Sequence, residues 1–138
     1  YKRQLKNGAS IQIQLVKNPS GFNQALNLVG QNNFTKVGII INDNYADGRD
    51  VSWLYDVNFD SIKKAKVLVS GVRYLDMALR LKYLEIDSDN ISELKDFTNK
   101  LANLKTDEKA IVYCTYTAML EFRKLLKPLA VNFEEVGL

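Results

Sequence analysis

The residues able to do chemistry are concentrated in one segment of fifteen, Asn42–Asp56. It holds four carboxylates (Asp43, Asp47, Asp50 and Asp56), one arginine (Arg49), one glycine (Gly48) and the only tryptophan of the chain, Trp53. The apolar run Val37–Ile41 comes just before it and reads as a buried strand. A turn after a core strand does not need so many charges, and open α/β sheets place their sites at the carboxyl ends of strands. This loop is therefore the first place to look for a site.

Several chemistries are limited by composition. The chain has no histidine, so a Ser-His-Asp or Cys-His site cannot be built from it alone, and neither can a His-based metal site. If the domain takes part in such acid–base chemistry, another chain must bring the imidazole. The one cysteine, Cys114, lies in the apolar run 110–114 and reads as a small core residue rather than a nucleophile. Asp43-x-x-x-Asp47-Gly48 resembles a calcium loop only in outline. Tyr45 falls at its third position and Leu54 at its twelfth, where glutamate is required. Neither G-x-x-x-x-G-K-[ST] nor G-x-G-x-x-G occurs, so no nucleotide cradle is expected in this chain.

Within the loop, Asp47-Gly48 supplies a turn, Arg49 is expected to pair with a nearby carboxylate, and Trp53 is expected to pin the loop to the body. Asp50 stands between turn and anchor, where a carboxylate is held stiffly and presented outward. At least one of Asp47 and Asp50 is expected to be functional. Other strand-end loops offer candidates with two readings each. Lys17-Asn18-Pro19 is either a capped turn or a substrate-facing loop whose helix N-terminus favours an anion. Arg73 either clamps a carboxylate or phosphate with its planar fork or pairs with Asp76 one helical turn on. The hydroxyls of Thr115-Tyr116-Thr117 read as helix caps.

The elements that must position these residues alternate. Strands are expected at Ser10–Val16, Lys36–Ile41, Ala65–Ser70 and Lys109–Thr115. The first is half exposed, with Gln12 and Gln14 between Ile11, Ile13 and Leu15. Helices are expected from Phe22 to Val29 with Ser20 as N-cap, from Tyr74 to Leu84 with two buried faces, after an Asn90 cap with Glu93 in a capping box, and from Ala118 to Lys127. In the last helix Met119, Leu120, Phe122, Leu125 and Leu126 point inward, and Pro128 ends it. The tail beyond adds an edge strand. Such alternation implies an α/β domain with a mainly parallel sheet covered by helices on both faces.

The chain has 138 residues, 46% of them hydrophobic and 25% charged, which suits one domain with one core. The net charge of +3 is too mild and dispersed to argue for nucleic acid, and the basic cluster Lys2, Arg3 and Lys6 reads as a solvated end. No apolar run approaches the roughly 18–20 residues needed to span a bilayer, and there is no signal-peptide pattern, so the cytoplasm is expected. The chain starts at Tyr1 rather than methionine and is expected to be a piece of a longer polypeptide.

Five stretches in this order carry a resemblance: Leu15–Asn23, Ile41–Asp56, Ser70–Arg73, Ala78–Tyr83 and Tyr113–Arg123. They resemble the C-terminal domain of the MurT family, the Mur ligase-like subunits of lipid II isoglutaminyl synthase. The resemblance implies a Rossmann-like, three-layer C-terminal ligase domain spanning residues 1–138. It also implies a complex that amidates the α-carboxyl of D-glutamate in lipid II to D-isoglutamine during peptidoglycan synthesis. The implied partner is a class I glutaminase subunit (GatD-like), and the implied substrates are lipid II or its precursors. ATP, Mg²⁺ and a structural zinc are implied for the full-length subunit, with no cofactor bound by this domain.

The same resemblance implies that the aspartate of the Asp-Gly-x-Asp-x-Ser-Trp motif completes the glutaminase's Cys–His pair across the interface. That residue is Asp50, with Asp47 as second choice. Lys17, Asn18, Asn42, Tyr45, Arg49, Trp53 and Arg73 are expected at the substrate cleft or the partner interface. Two alternatives stand beside this reading: a non-catalytic docking module of the same complex, and a free-standing flavodoxin-like nucleotide binder.

Overall fold

The computed structural model describes residues 2–5, 8–27, 29 and 33–134. Among these, strands β1 (Lys2–Leu5), β2 (Ser10–Leu15), β3 (Lys36–Ile40), β4 (Lys66–Ser70), β5 (Asp89–Asn90), β6 (Lys109–Cys114) and β7 (Ala130–Glu134) form one sheet in the order β5-β4-β3-β6-β2-β1-β7. The five strands from β5 to β2 run parallel, and β1 pairs antiparallel with both β2 and β7. The helices are α1 (Pro19–Leu26), α2 (Tyr74–Tyr83), α3 (Leu94–Ala102) and α4 (Tyr116–Leu126). This is the α/β, mainly parallel, three-layer architecture expected from the alternation.

Side-chain alternation along the central strands builds two cores. Val37, Ile39 and Ile41 point to the layer of α1, α2 and the long loop, packing with Phe22, Leu54, Phe59, Met77 and Leu81. Ile40, Val112 and Cys114 point to the layer of α3 and α4, packing with Phe97, Leu101, Ala118 and Phe122. Both faces of these strands are covered, which is why they read as continuous apolar runs. In β2, Gln12 and Gln14 are only half-buried while Ile11 and Ile13 are buried, as the alternating pattern requires.

Several local expectations are corrected. The first helix starts earlier than expected. Pro19 has its φ already fixed for the first turn, so Asn18 rather than Ser20 is the N-cap and accepts from Gly21 N at 2.8 Å. Asn90 caps nothing. Its backbone belongs to β5, Ile91 N donates to Val69 O at 2.8 Å, and α3 begins only at Leu94. Helix α2 buries Met77 and Leu81, but Leu75 and Leu79 face outward, so one of its two apolar faces is covered rather than both. Leu120 is also exposed. Lys2 and Arg3 lie in β1, a strand the sequence reading did not contain, and Lys6 lies outside the described residues. The edge strand expected beyond Pro128 is present as β7.

Gly38 shows how tightly the second core is closed. A Cβ there would stand 2.7 Å from Phe97 Cζ and 3.3 Å from both Leu101 Cδ1 and Val112 Cγ2. Gly38→Ala is expected to destabilise the chain by about 1–3 kcal/mol through overpacking, read as a lower urea midpoint with an unchanged slope.

Candidate functional site

The chain crosses from one layer to the other after β5, where α3 joins α4 in the second core. The loops after β2, β3 and β4 lead into the first core, while the loop after β6 leads into α4 on the opposite face. Because β6 lies between β3 and β2, its carboxyl end is a switch point, where α/β sheets open a crevice. Three strand-end loops meet there.

Asn42 joins them. Its backbone N–H donates to Thr115 Oγ1 at 3.0 Å, its Nδ2 donates to Thr117 Oγ1 at 3.0 Å, and its Oδ1 accepts from Val72 N at 2.9 Å. It is buried, so these bonds satisfy a side chain that would otherwise be costly to bury. Gly71 lets the third loop approach. Its φ is +101°, and a Cβ on it would lie 2.5 Å from the carbonyl oxygen of Ile41, so a side chain there meets both backbone strain and a collision.

Asp47 fills the crevice. Its Oδ1 accepts from Thr117 N, the second residue of α4, at 2.7 Å, and its Oδ2 accepts from Thr117 Oγ1 in a short bond and from Asn44 N at 3.1 Å. Thr115 precedes the helix but makes no side-chain cap, its hydroxyl being taken by Asn42. A carboxylate from a loop some seventy residues earlier in the chain thus does the work of an N-cap. The hydroxyls of Thr115 and Thr117 are therefore not the helix caps expected: they bond to Asn42 and Asp47 and tie the long loop to α4.

Asp50 is placed oppositely. It is fully exposed, and its Oδ1 accepts from Ser52 N at 2.9 Å as the chain enters a 3-10 turn, Ser52–Asp56. The backbone N–H of Ser52, followed by its hydroxyl, holds the Asp50 carboxyl below the usual carboxylate range. A cleft of about 240 Å³ beside it is lined by Arg49, Ser52, Tyr55, Arg73 and Asp76.

The other expected residues are spread across this end of the sheet. Arg73 lies between two carboxylates, with Nε 2.7 Å from Asp76 Oδ2 and Nη1 3.2 Å from Asp43 Oδ2. Asp76 and then Asp43 raise its pKa, so the pairing with Asp76 is the reading the geometry takes. Arg49 is in none of the ion pairs among the described residues. Its guanidinium lies 5.1 Å from the ring centre of Tyr45 instead, and Tyr45 is 88% exposed. Trp53 is the anchor expected, half-buried with its ring 6.1 Å from that of Phe22. Phe22 also meets Phe59 edge-on at 5.3 Å and Tyr113 at 5.1 Å, so the loop is pinned to a buried aromatic cluster. Lys17 and Asn18 are exposed at the start of α1, and Asn18 is occupied as its cap. Cys114 is buried, and burial pushes its thiol pKa up, as befits a core residue.

Sequence reasoning missed Thr117 as the hub and Asp43 as the partner of Arg73. Both depend on non-local contacts. The one signal available was a cluster of polar residues at the ends of two strands that the fold places side by side.

This architecture is the fold of a known class, shared with a Mur ligase. Among solved structures, the chain superposes on the UDP-N-acetylmuramate-alanine ligase MurC of Thermotoga maritima with a TM-score of 0.58 at 12% identity, covering 89% of this chain and 27% of that one. The family model for the MurT ligase C-terminal domain matches residues 15–119, and the chain belongs to that family. It is 34% identical over 120 residues to the lipid II isoglutaminyl synthase (glutamine-hydrolyzing) subunit MurT of Streptococcus pneumoniae, covering 83% of this chain and 27% of the relative. To the subunit of the same name from Staphylococcus aureus it is 42% identical over 85 residues, covering 59% of this chain and 20% of the relative. The chain thus spans about a quarter of the length of the relatives it matches.

The two aspartates are separable by stability. Asp47→Ala removes charge-assisted bonds from a buried carboxylate to a half-buried helix end and is expected to destabilise the chain by about 1.5–3 kcal/mol. Asp50→Asn changes an exposed side chain and is expected to stay within about 0.5 kcal/mol. Chemical denaturation of the two variants beside the parent chain measures the difference.

Proposed function

We propose that this chain is the C-terminal domain of the ligase subunit of a lipid II isoglutaminyl synthase. In this reading the full-length subunit, with ATP and Mg²⁺, activates the α-carboxyl of D-glutamate in lipid II or its precursors. A class I glutaminase subunit supplies ammonia from glutamine. The domain docks that subunit and contributes Asp50 to its Cys–His pair. The names of the relatives support the ligase role.

The observation that carries the Asp50 assignment is the division of labour in the loop. Asp47 is committed to α4, while Asp50 is exposed, oriented through one oxygen, and presented by a chain with no histidine. A carboxylate so held can accept from one nitrogen of an imidazole, fix its tautomer and stabilise the imidazolium that forms. Arg49 and Tyr45 flank it as contact residues.

The residues here do not fit a nucleotide phosphate. The helix N-terminus at the switch point, the usual seat for such an anion, already holds the Asp47 carboxylate. Nucleotide binding is therefore assigned to the rest of the full-length subunit, and no step involving it is derived from this domain.

Asp50→Asn in the assembled complex is expected to lower glutamine hydrolysis by about a hundredfold or more, with affinity for the glutaminase unchanged. A docking-only role predicts instead that affinity and hydrolysis fall in proportion. Normal hydrolysis by Asp50→Asn removes the assignment. The pH profile follows from the depressed Asp50 pKa. A lowered carboxyl pKa keeps the acceptor ionised down through the ordinary carboxylate range and loses it only as pH falls through the folded value. The acidic limb of hydrolysis should accordingly report the partner's imidazole and thiol.

A further inference from the structure

Asp50 shares its cleft with two arginines, Arg49 and Arg73, and is paired with neither. Each guanidinium is held elsewhere. Arg73 is spent on Asp76 and Asp43, at 2.7 and 3.2 Å. Arg49 is in no ion pair among the described residues, and its guanidinium carbon lies 5.1 Å from the centre of the Tyr45 ring. Arg49 and Asp50 are adjacent in the chain and line the same cleft. The long arginine side chain therefore has two partners to choose between, a ring and a carboxylate.

An exposed carboxylate–guanidinium pair and an exposed cation–π contact are of the same small size. The choice then rests on which partner is held in place. Tyr45 is held by its backbone. Asp47 N donates to Asn44 O at 2.8 Å and Gly48 N to Tyr45 O at 3.3 Å, closing a tight turn. The Asp47 carboxylate accepts from Asn44 N at 3.1 Å and fixes that turn to α4. Gly48 reverses the chain at a φ of +92°, and Arg49 comes back over the ring of the residue four positions earlier. The ring is 88% exposed, so it contributes nothing to either core.

We infer that Tyr45 is a positioning residue for glutamine hydrolysis: its ring holds the Arg49 guanidinium away from Asp50 and leaves that carboxylate unpaired for the partner's imidazole. The inference rests on the reading above, in which Asp50 serves that imidazole. A guanidinium released beside Asp50 takes a carboxylate through two parallel N–H groups, and the imidazole must then displace it. The released cation also offsets the negative charge that stabilises the imidazolium. A tyrosine that only touched the partner would act independently of Arg49, and that dependence separates the two roles.

The test is a double-mutant cycle on the full-length ligase subunit, assayed with the glutaminase subunit at saturating concentration. Titration gives Kd for every variant, and circular dichroism checks folding. Tyr45→Ala is expected to lower kcat for glutamine hydrolysis about three- to tenfold. Tyr45→Phe, which keeps the ring, is expected to recover most of that loss. In an Arg49→Gln background, Tyr45→Ala is expected to lower kcat no further, because no guanidinium is left to release. Added salt is expected to shrink the Tyr45→Ala deficit, since it screens the exposed attraction between Arg49 and Asp50. A loss equally deep in the Arg49→Gln background overturns the inference and leaves Tyr45 acting on its own. A raised Kd with kcat at the parent value also overturns it, and reduces Tyr45 to a contact. Asp50→Asn, run beside these variants, separates the inference from the reading beneath it. If Asp50→Asn hydrolyses glutamine at the parent rate, the role of Asp50 falls and that of Tyr45 with it. If Asp50→Asn is slow while Tyr45→Ala is not, Tyr45 alone loses its role.

Discussion

The carboxylate of Asp47 against the first turn of α4 is the contact on which the site depends. A helix N-terminus collects unsatisfied N–H groups and a partial positive charge. At a switch point it usually waits for a ligand. Here the chain fills it from within, and the same side chain fixes the loop that follows β3. Three residues further on is Asp50, and three beyond that is Trp53, sunk toward Phe22. Asp50 is therefore held between two anchors of different chemistry, one ionic and one aromatic. A loop tethered this way can present a single carboxylate to another molecule without first being ordered by it.

The sheet supplies the geometry that makes this possible. Inserting β6 between β2 and β3 brings Thr115 and Thr117 beside Asn42, although they are more than seventy residues apart in the chain. The aromatic cluster of Phe22, Phe59 and Tyr113 then holds α1 and the long loop to one face of that sheet. Full burial of a side chain such as Phe22 contributes about 1.5–3 kcal/mol, comparable to the polar bonds it helps to align.

Much of this was legible in the sequence, for identifiable reasons. Three of the central strands, β3, β4 and β6, were clear because strands buried on both faces are continuous apolar runs bounded by turn residues, and β2 was clear because it is not. The Asp-rich loop was legible as a site because charges cluster there without a fold-level need. What could not be read was which carboxylate faces in. Asp47 and Asp50 have the same side chain and are three residues apart, and only the register of β6 against β3 decides that Asp47 meets Thr117. Helix α2 misled for a related reason. Leu75 and Leu79 have the spacing of a buried face, and nothing local distinguishes an apolar stripe that meets a core from one left for another surface. The two-residue β5 is shorter than any period the sequence can express.

Cys114 gives the chain a built-in reporter. It is the sole thiol among 138 residues, lies in the central strand β6, and is kept protonated by the apolar layer around it. A maleimide or disulfide reagent reaches that sulfur only when the core it shares with α3 and α4 opens. The rate of covalent capture in native buffer is therefore a direct clock for opening of that core, read without denaturant and without engineering a label into the molecule.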